Sequence, residues 1–188
     1  MTEVAEQLYP PPLKQWTILF AVILATTLYS TTMMIVTTIL PRMQGTFSAT
    51  ADEIAWAMTF NILATAVVTP LTGWLAARFG TRNTVFWCVA GFTLSTLMCG
   101  LADSLEALIF WRILQGGFGA PTTPLGQSIL MESFPRTQHT RVMGLFGVGV
   151  VIGPVLGPWL GSLMAEHYTW RWAFYAIVPL GVLATVVL

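Results

Sequence analysis

One charged residue stands inside an apolar run: Arg112, in Leu108-Ile109-Phe110-Trp111-Arg112-Ile113-Leu114-Gln115-Gly116. An arginine at the centre of a membrane helix costs about 2.5–3.5 kcal/mol on the insertion scale. Each neighbouring Leu, Ile or Phe returns only about 0.3–0.6 kcal/mol. Such a helix still inserts, but its guanidinium needs a polar interior. Two readings stay open. Arg112 lies less than two helical turns from Glu106 and so within snorkelling range of a helix end. Alternatively it is a buried cation in a substrate or proton pathway, with Gln115 one turn on sharing its face.

A second pattern is a glycine at every fourth position: Gly149, Gly153, Gly157 and Gly161. On a helix these fall on nearly one face and make a smooth stripe that lets another backbone approach closely. Pro154 and Pro158 each follow a stripe glycine, so a bend is expected there. Plain packing explains the stripe, and so does a part that rocks. A third pattern is polar: Thr26, Tyr29 or Ser30, Met33 and Thr37 in one run, and Asn61, Thr65 and Thr69 in the next. These positions either line a wet cavity or hydrogen-bond between helices. Enzymatic chemistry is not expected. His139 and His167 fall in loops on opposite sides of the membrane, and the sequence offers no metal constellation, phosphate-binding glycine loop or nucleophile elbow. No cofactor is expected either.

The elements that must position these residues follow from composition. Of 188 residues, 55% are hydrophobic and 9% charged, with a mean hydropathy of +0.74; soluble domains carry about 25% charge. The formal net charge of zero argues against a nucleic-acid partner. Cys88 and Cys99 share one apolar run, about 16 Å apart on a helix, beyond the reach of about 7 Å that a disulfide needs. Six runs approach the roughly 20 apolar residues that span a bilayer: 16–40, 54–75, 84–101, 107–131, 142–165 and 172–188. In lipid, runs of this length are helices. The expected architecture is an all-α membrane protein, a six-transmembrane-helix bundle in contact with the lipid bilayer. Its first break is expected at Pro41. Segment 1–15, acidic and proline-rich, precedes the bundle and does not read as a cleaved leader. Lys14, Arg78, Arg82, Arg136 and Arg141 fall on one side and only Arg42 and Arg171 on the other, which puts the N-terminus in the cytoplasm. The last run stops at Leu188 without flanking charge, as a truncated chain would.

Taken together these segments resemble the major facilitator superfamily. Gly73, Arg78, Gly80 and Arg82 look like the family's loop between helices two and three. Leu108 through Ala120, with Arg112, Gln115, Gly116 and Gly119, resembles its fourth-helix motif. Gly149, Gly153, Pro154, Gly157 and Pro158 are similar to its fifth-helix antiporter motif. Trp170 to Tyr175, Pro179 and Gly181 are similar to the sixth-helix entry of EmrB/QacA-type drug:proton antiporters, and Trp56 fits the same branch. The resemblance implies the N-terminal bundle of the major facilitator fold, with the C-terminal bundle missing. It implies multidrug efflux of small molecules by proton antiport with alternating access, in a bacterial inner membrane. Arg112 and Gln115 would serve proton coupling. Tyr29, Met33, Thr37, Asn61 and Gly119 are the candidate substrate-cavity residues. The glycine–proline helix would seal or hinge the bundle interface. A periplasmic adaptor protein is a partner the resemblance allows.

The departures narrow this expectation. Ala77 stands where the family loop usually has an acid, and Thr31-Thr32-Met33-Met34 stands near where the branch usually has an Asp. No Asp or Glu lies deep in any run. A cationic drug would lack a carboxylate partner in this half, so neutral, zwitterionic or anionic substrates are expected. A facilitator of the same fold, and a membrane scaffold that does not transport, are the competing readings.

Overall fold

The computed structural model describes residues 10–188. The part of the N-terminal segment that spans 1–9 lies outside the described residues. Helix α1 runs Pro12–Phe47, α2 Ala51–Val68, α3 Thr72–Phe79, α4 Thr81–Leu101, α5 Leu105–Gly119, α6 Thr122–Ser133, α7 His139–His167, α8 Arg171–Tyr175 and α9 Val178–Val187. Short 3-10 turns at Thr69–Leu71 and Arg136–Gln138 complete the described elements, and no strand occurs among them. Leu13–Phe47, Ala51–Phe79, Thr81–Leu101 and Arg136–His167 are long and apolar enough to cross a membrane, and Arg171–Val187 is a shorter apolar helix.

Helix ends depart from the apolar runs for local reasons. The expected break at Pro41 does not occur. α1 carries Pro41 inside it and continues through Arg42 and Gln44 to Phe47. It stops where Ser48 turns into the left-handed region (φ 50°), with the Ser48 and Ala49 amides both donating to the Gln44 carbonyl. The same helix starts at Pro12, four residues ahead of the apolar run, because proline suits the first helical position. α2 opens on a capping box, in which Thr50 Oγ1 accepts from the Glu53 amide and Glu53 Oε2 accepts from the Thr50 amide. Ser104 caps α5 by accepting from the Ala107 amide at 3.1 Å. Three of the six runs are interrupted at prolines that sequence counting passed over. Pro70 lies in the 3-10 turn after α2, Pro121 separates α5 from α6, and Pro179 lies at the start of α9. Each lacks the N–H that would continue the ladder.

The bundle is apolar outside and polar at points within. Leu63, Val67, Trp87, Val151, Val155 and Trp159 are all exposed, whereas Asn61, Thr96, Arg112 and Gln115 are buried. In water, exposed apolar surface on this scale marks a membrane or protein contact. The largest helix contact pairs α1 with α7, and it is built on the glycine stripe. A Cβ at Gly153 would lie 2.6 Å from Ser30 Cβ and 2.8 Å from the Thr27 carbonyl oxygen. A Cβ at Gly157 would lie 2.7 Å from Met34 Cβ. Thr27 Oγ1 donates to the Gly149 carbonyl at 2.8 Å across the same seam. The second wall is α5, which packs against both α2 and α4, and α9 closes the layer against α1 and α4.

This seam predicts a contrast between glycines of one helix. Gly153→Leu should force α1 and α7 apart and lower the melting temperature in detergent, at an overpacking cost of about 1–3 kcal/mol. Gly144→Ala, where an added Cβ meets nothing within 4 Å, should leave it unchanged. Equal effects in the two variants would disprove the close-approach reading.

Candidate functional site

The site is a polar seam that crosses the bundle through α5. Arg112 is 1% exposed, so it does not snorkel; it is a cation enclosed by helices. Its Nε donates to the Ala57 carbonyl of α2 at 3.4 Å, and its Nη1 donates to Gln115 Oε1. Gln115 Nε2 donates to Thr96 Oγ1 of α4 at 2.7 Å, and Thr96 Oγ1 donates to its own helix at the Phe92 carbonyl, 2.7 Å away. The order fixes the amide of Gln115: reversed, its NH2 group would face the guanidinium. Every acceptor in this chain is neutral. Among the described residues the one ion pair is Arg171 with Asp103, at 3.7 Å and at the end of the bundle. A buried charge without a counter-ion is held only when its donors meet well-placed acceptors.

From the same helix as Ala57, Asn61 Nδ2 donates to the Arg112 carbonyl at 2.7 Å. Its Oδ1 is buried without a hydrogen-bond partner. The α2 backbone at Asn61 lies directly on Gly116; a Cβ there would collide with the Asn61 carbonyl oxygen. Glycine therefore sets how closely α2 approaches α5, and with it the reach of Arg112 to Ala57. Thr65 Oγ1 gives its one proton to the Asn61 carbonyl at 2.9 Å, so the Tyr29 hydroxyl, 3.1 Å away, is the donor of that pair. The Tyr29 ring lies on Gly119, where a Cβ would collide with it, and stands edge-on to Phe92 at 6.0 Å. Tyr29, Thr65, Asn61, Arg112, Gln115 and Thr96 thus join α1, α2, α5 and α4 in one layer.

The fold is shared with solved transporters. The chain superposes on a bacterial homologue of the human lysosomal transporter Spinster, in an inward-facing and occupied conformation. The TM-score is 0.81 at 20% identity, covering 94% of this chain and 44% of that one. It superposes on the proton:xylose symporter XylE with a TM-score of 0.82 at 14% identity, covering 92% of this chain and 43% of that one. A family model described as the Major Facilitator Superfamily matches residues 22–188. The chain belongs to the major facilitator superfamily. Similar members include the probable multidrug resistance protein EmrY of Escherichia coli K12, 35% identical over 89% of this chain and 33% of its own length. The fatty acid resistance protein FarB of Neisseria gonorrhoeae is 37% identical over 77% of this chain and 28% of its own length. The chain thus spans about a third of the length of these relatives. Its fold is that of the six-helix N-terminal bundle of the superfamily.

Within the superfamily fold the remaining candidate residues separate. Of the proposed cavity residues, Tyr29, Asn61 and Gly119 fall in the polar seam. Met33 is half-buried, and Thr37 is exposed with its hydroxyl bonded to its own helix at the Met34 carbonyl, 2.6 Å away. Thr69 likewise returns its hydroxyl to Thr65 at 2.6 Å. In the loop motif, Gly80 takes a positive φ of 83° that favours glycine. Gly73 and Arg78 are exposed, and Arg82 donates to the Leu188 carbonyl at 3.0 and 3.1 Å. The four stripe glycines face α1, while Pro154 and Pro158 point outward, and α7 runs through both prolines as one helix. A cleft of about 870 Å³ contains none of the five cavity candidates; it lies on the outer side of α5, between α2 and the start of α4. Sequence reasoning missed Thr96 and the Ala57 carbonyl. The first signalled itself only as one hydroxyl among several in α4, and a backbone acceptor leaves no mark in a sequence.

The relay predicts non-additive mutants. Thr96→Val leaves Gln115 Nε2 unpaired in the interior and should destabilise by about 1–3 kcal/mol. Gln115→Leu should cost more, because it also removes the oxygen that accepts from Arg112 Nη1. The double variant should lose clearly less than the sum of the two, because the same bond is removed only once. Strict additivity of the melting shifts would show that the two side chains act independently.

Proposed function

We propose that this chain is the N-terminal half of a secondary transporter that exports small amphipathic compounds in exchange for protons, by alternating access of a central site. Family membership and the multidrug and fatty-acid resistance relatives support export of apolar or amphipathic solutes. The two-bundle design requires one half to rock against the other. The proposed setting is a bacterial inner membrane, with the N-terminus and the Arg78–Arg82 turn on the cytoplasmic side.

The observation that carries proton coupling is the buried, unpaired charge of Arg112. Its field acts through a medium of low polarity, so it is felt strongly by any ionisable group brought near it. An acid facing it from the partner bundle is held deprotonated; moved away, the same acid gains proton affinity. Rocking then converts position into proton uptake and release. Gln115 keeps the guanidinium in register, and Tyr29 and Asn61 set the wall beside it. The same positive field favours neutral or anionic substrates over cations in this half. A second reading has its own support. The guanidinium donors observed here end on neutral acceptors of the bundle itself, as a structural pin would require, and this favours an uncoupled facilitator.

The two readings part in inverted membrane vesicles that carry the full-length transporter. With an acidic interior, a proton antiporter should accumulate an anionic or neutral amphiphile, and a protonophore should abolish the accumulation. Arg112→Ala should reduce the gradient-driven component by roughly 5–150-fold, the range of a coupling free energy of about 1–3 kcal/mol. Arg112→Lys should restore little, since an ammonium lacks the planar fork that reaches both Ala57 and Gln115. Uptake that ignores the gradient in the wild type would establish the facilitator.

A further inference from the structure

We propose that the polar seam contains a subsite for one neutral hydroxyl group, which accepts from the Arg112 guanidinium and donates to Asn61 Oδ1. Asn61 is 1% exposed, and its Oδ1 is the one enclosed side-chain polar atom without a hydrogen-bond partner among the described residues. A buried acceptor left unpaired is costly, so this atom draws a donor. The amide cannot be turned to relieve it. Its Nδ2 donates to the Arg112 carbonyl at 2.7 Å, and the reversed group would set oxygen against oxygen. The neighbouring donors of the chain are engaged elsewhere. The Thr65 hydroxyl donates to the Asn61 carbonyl, the Tyr29 hydroxyl donates to Thr65, and the Gln115 NH2 group is turned to Thr96 of α4.

The guanidinium supplies the other half of the subsite. Its bonds to Ala57 and Gln115 use Nε and Nη1, while Nη2 has no partner among the described residues. Ala57 and Asn61 are one turn apart on α2 and so share a face, with about 6 Å between them along the axis. Helical side chains lean toward the N-terminus, which carries Asn61 toward the turn where Arg112 Nε lands. One oxygen with a hydrogen bond on each side spans about 5.5 Å, so a single hydroxyl bridges guanidinium and amide. The two ends select its chemistry. The guanidinium repels a cation, and the lone pairs of Asn61 Oδ1 repel an anion or a carbonyl oxygen. A neutral hydroxyl both accepts and donates, and so meets both ends. Two sources carry this chemistry: a buried water, and the hydroxyl of a transported solute. The subsite itself is independent of proton coupling; its use by a solute rests on the export reading.

The test uses solid-state NMR on the unaltered full-length transporter in lipid bilayers, with asparagine and arginine isotope-labelled. Asn61 Nδ2 is identified by its contact with the Arg112 carbonyl carbon. Without solute, magnetisation from water should reach the buried Asn61 Cγ as early as it reaches the exposed Asn83. Dodecanol and an ether of the same length, which lacks the donor, are then added in turn. Where the solute supplies the hydroxyl, the carbinol carbon of labelled dodecanol should contact Asn61 Cγ and the water transfer should be lost. Dodecanol should then bind at least about fivefold more tightly than the ether, which leaves Oδ1 unpaired. Where water transfer survives both additions, the hydroxyl is that of a resident water. Either result supports the subsite. An Asn61 Cγ that receives magnetisation from neither water nor dodecanol would overturn it. So would a direct bond from Arg112 Nη2 to Asn61 Oδ1, seen as a short nitrogen–carbon contact, since the chain would then pair the two groups for itself. Displacement of the water by alcohol and ether alike would show an apolar slot that needs no donor, and would overturn the proposal as well. These readouts do not depend on transport, so a chain that ignores the proton gradient still passes or fails them.

Discussion

The structure depends on keeping one guanidinium inside a membrane bundle without a carboxylate beside it. The desolvation cost of that charge falls as neutral oxygens are brought to it, and here they come from α2 and from α5 itself. Ala57 of α2 supplies a carbonyl, Gln115 of α5 itself supplies an amide oxygen, and Thr96 of α4 holds Gln115 in turn. These demands fix the spacing of three helices. They also explain Gly116, since any side chain there would push the α2 backbone away from Arg112. Asn61 adds the return contact from α2 to the Arg112 carbonyl. The α2–α5–α4 wall is thus held by directional bonds, and it has one arrangement in which they are all made.

The opposite wall works on a different principle. α1 and α7 meet along glycine faces, with few polar bonds besides Thr27 to the Gly149 carbonyl. Close backbone approach gives dispersion contact over a long seam, and lipid offers no hydrophobic drive to replace it. A smooth seam tolerates small slides at little cost, whereas a hydrogen-bonded one breaks all at once. If the bundle deforms during transport, the physics assigns flexing to the α1–α7 side and rigidity to the side that carries Arg112.

Much of this was legible in the sequence, and the limits have physical causes. Arg112 announced itself because a charge in an apolar run must be accommodated, and Gln115 followed from helical spacing. The glycine stripe announced close packing, but not that its partner is α1 inside the same bundle, because a smooth face carries no mark of what lies on it. The polar positions of α1 could not be sorted from sequence. A threonine that bonds back to its own helix, as Thr37 does, looks the same as one that reaches across. Thr96 and Ala57 were unreadable for a related reason: one is an ordinary hydroxyl in an apolar helix, and the other acts through its backbone. Helix ends at prolines failed in both directions. Pro41 sits within a long helix, whereas Pro121 and Pro179 interrupt or restart theirs, and the neighbouring contacts that decide between these outcomes are tertiary.

The distribution of charge connects the seam to the membrane surface. All acids of the described chain lie at the ends of the bundle, so its interior carries only the positive charge of Arg112. The turn from α3 to α4 repeats that imbalance at the boundary, with Arg78 and Arg82 close to Ala77, the position where the family loop usually has an acid. An acid there would neutralise the turn internally. Without one, the turn keeps its positive charge at the surface. The interior differs at Arg112, where bulk water cannot substitute and the neutral oxygens of Ala57 and Gln115 meet the charge instead. Both positions carry positive charge that no acid of the described residues pairs, but only the buried one must be met by placed oxygens, because water solvates the exposed turn.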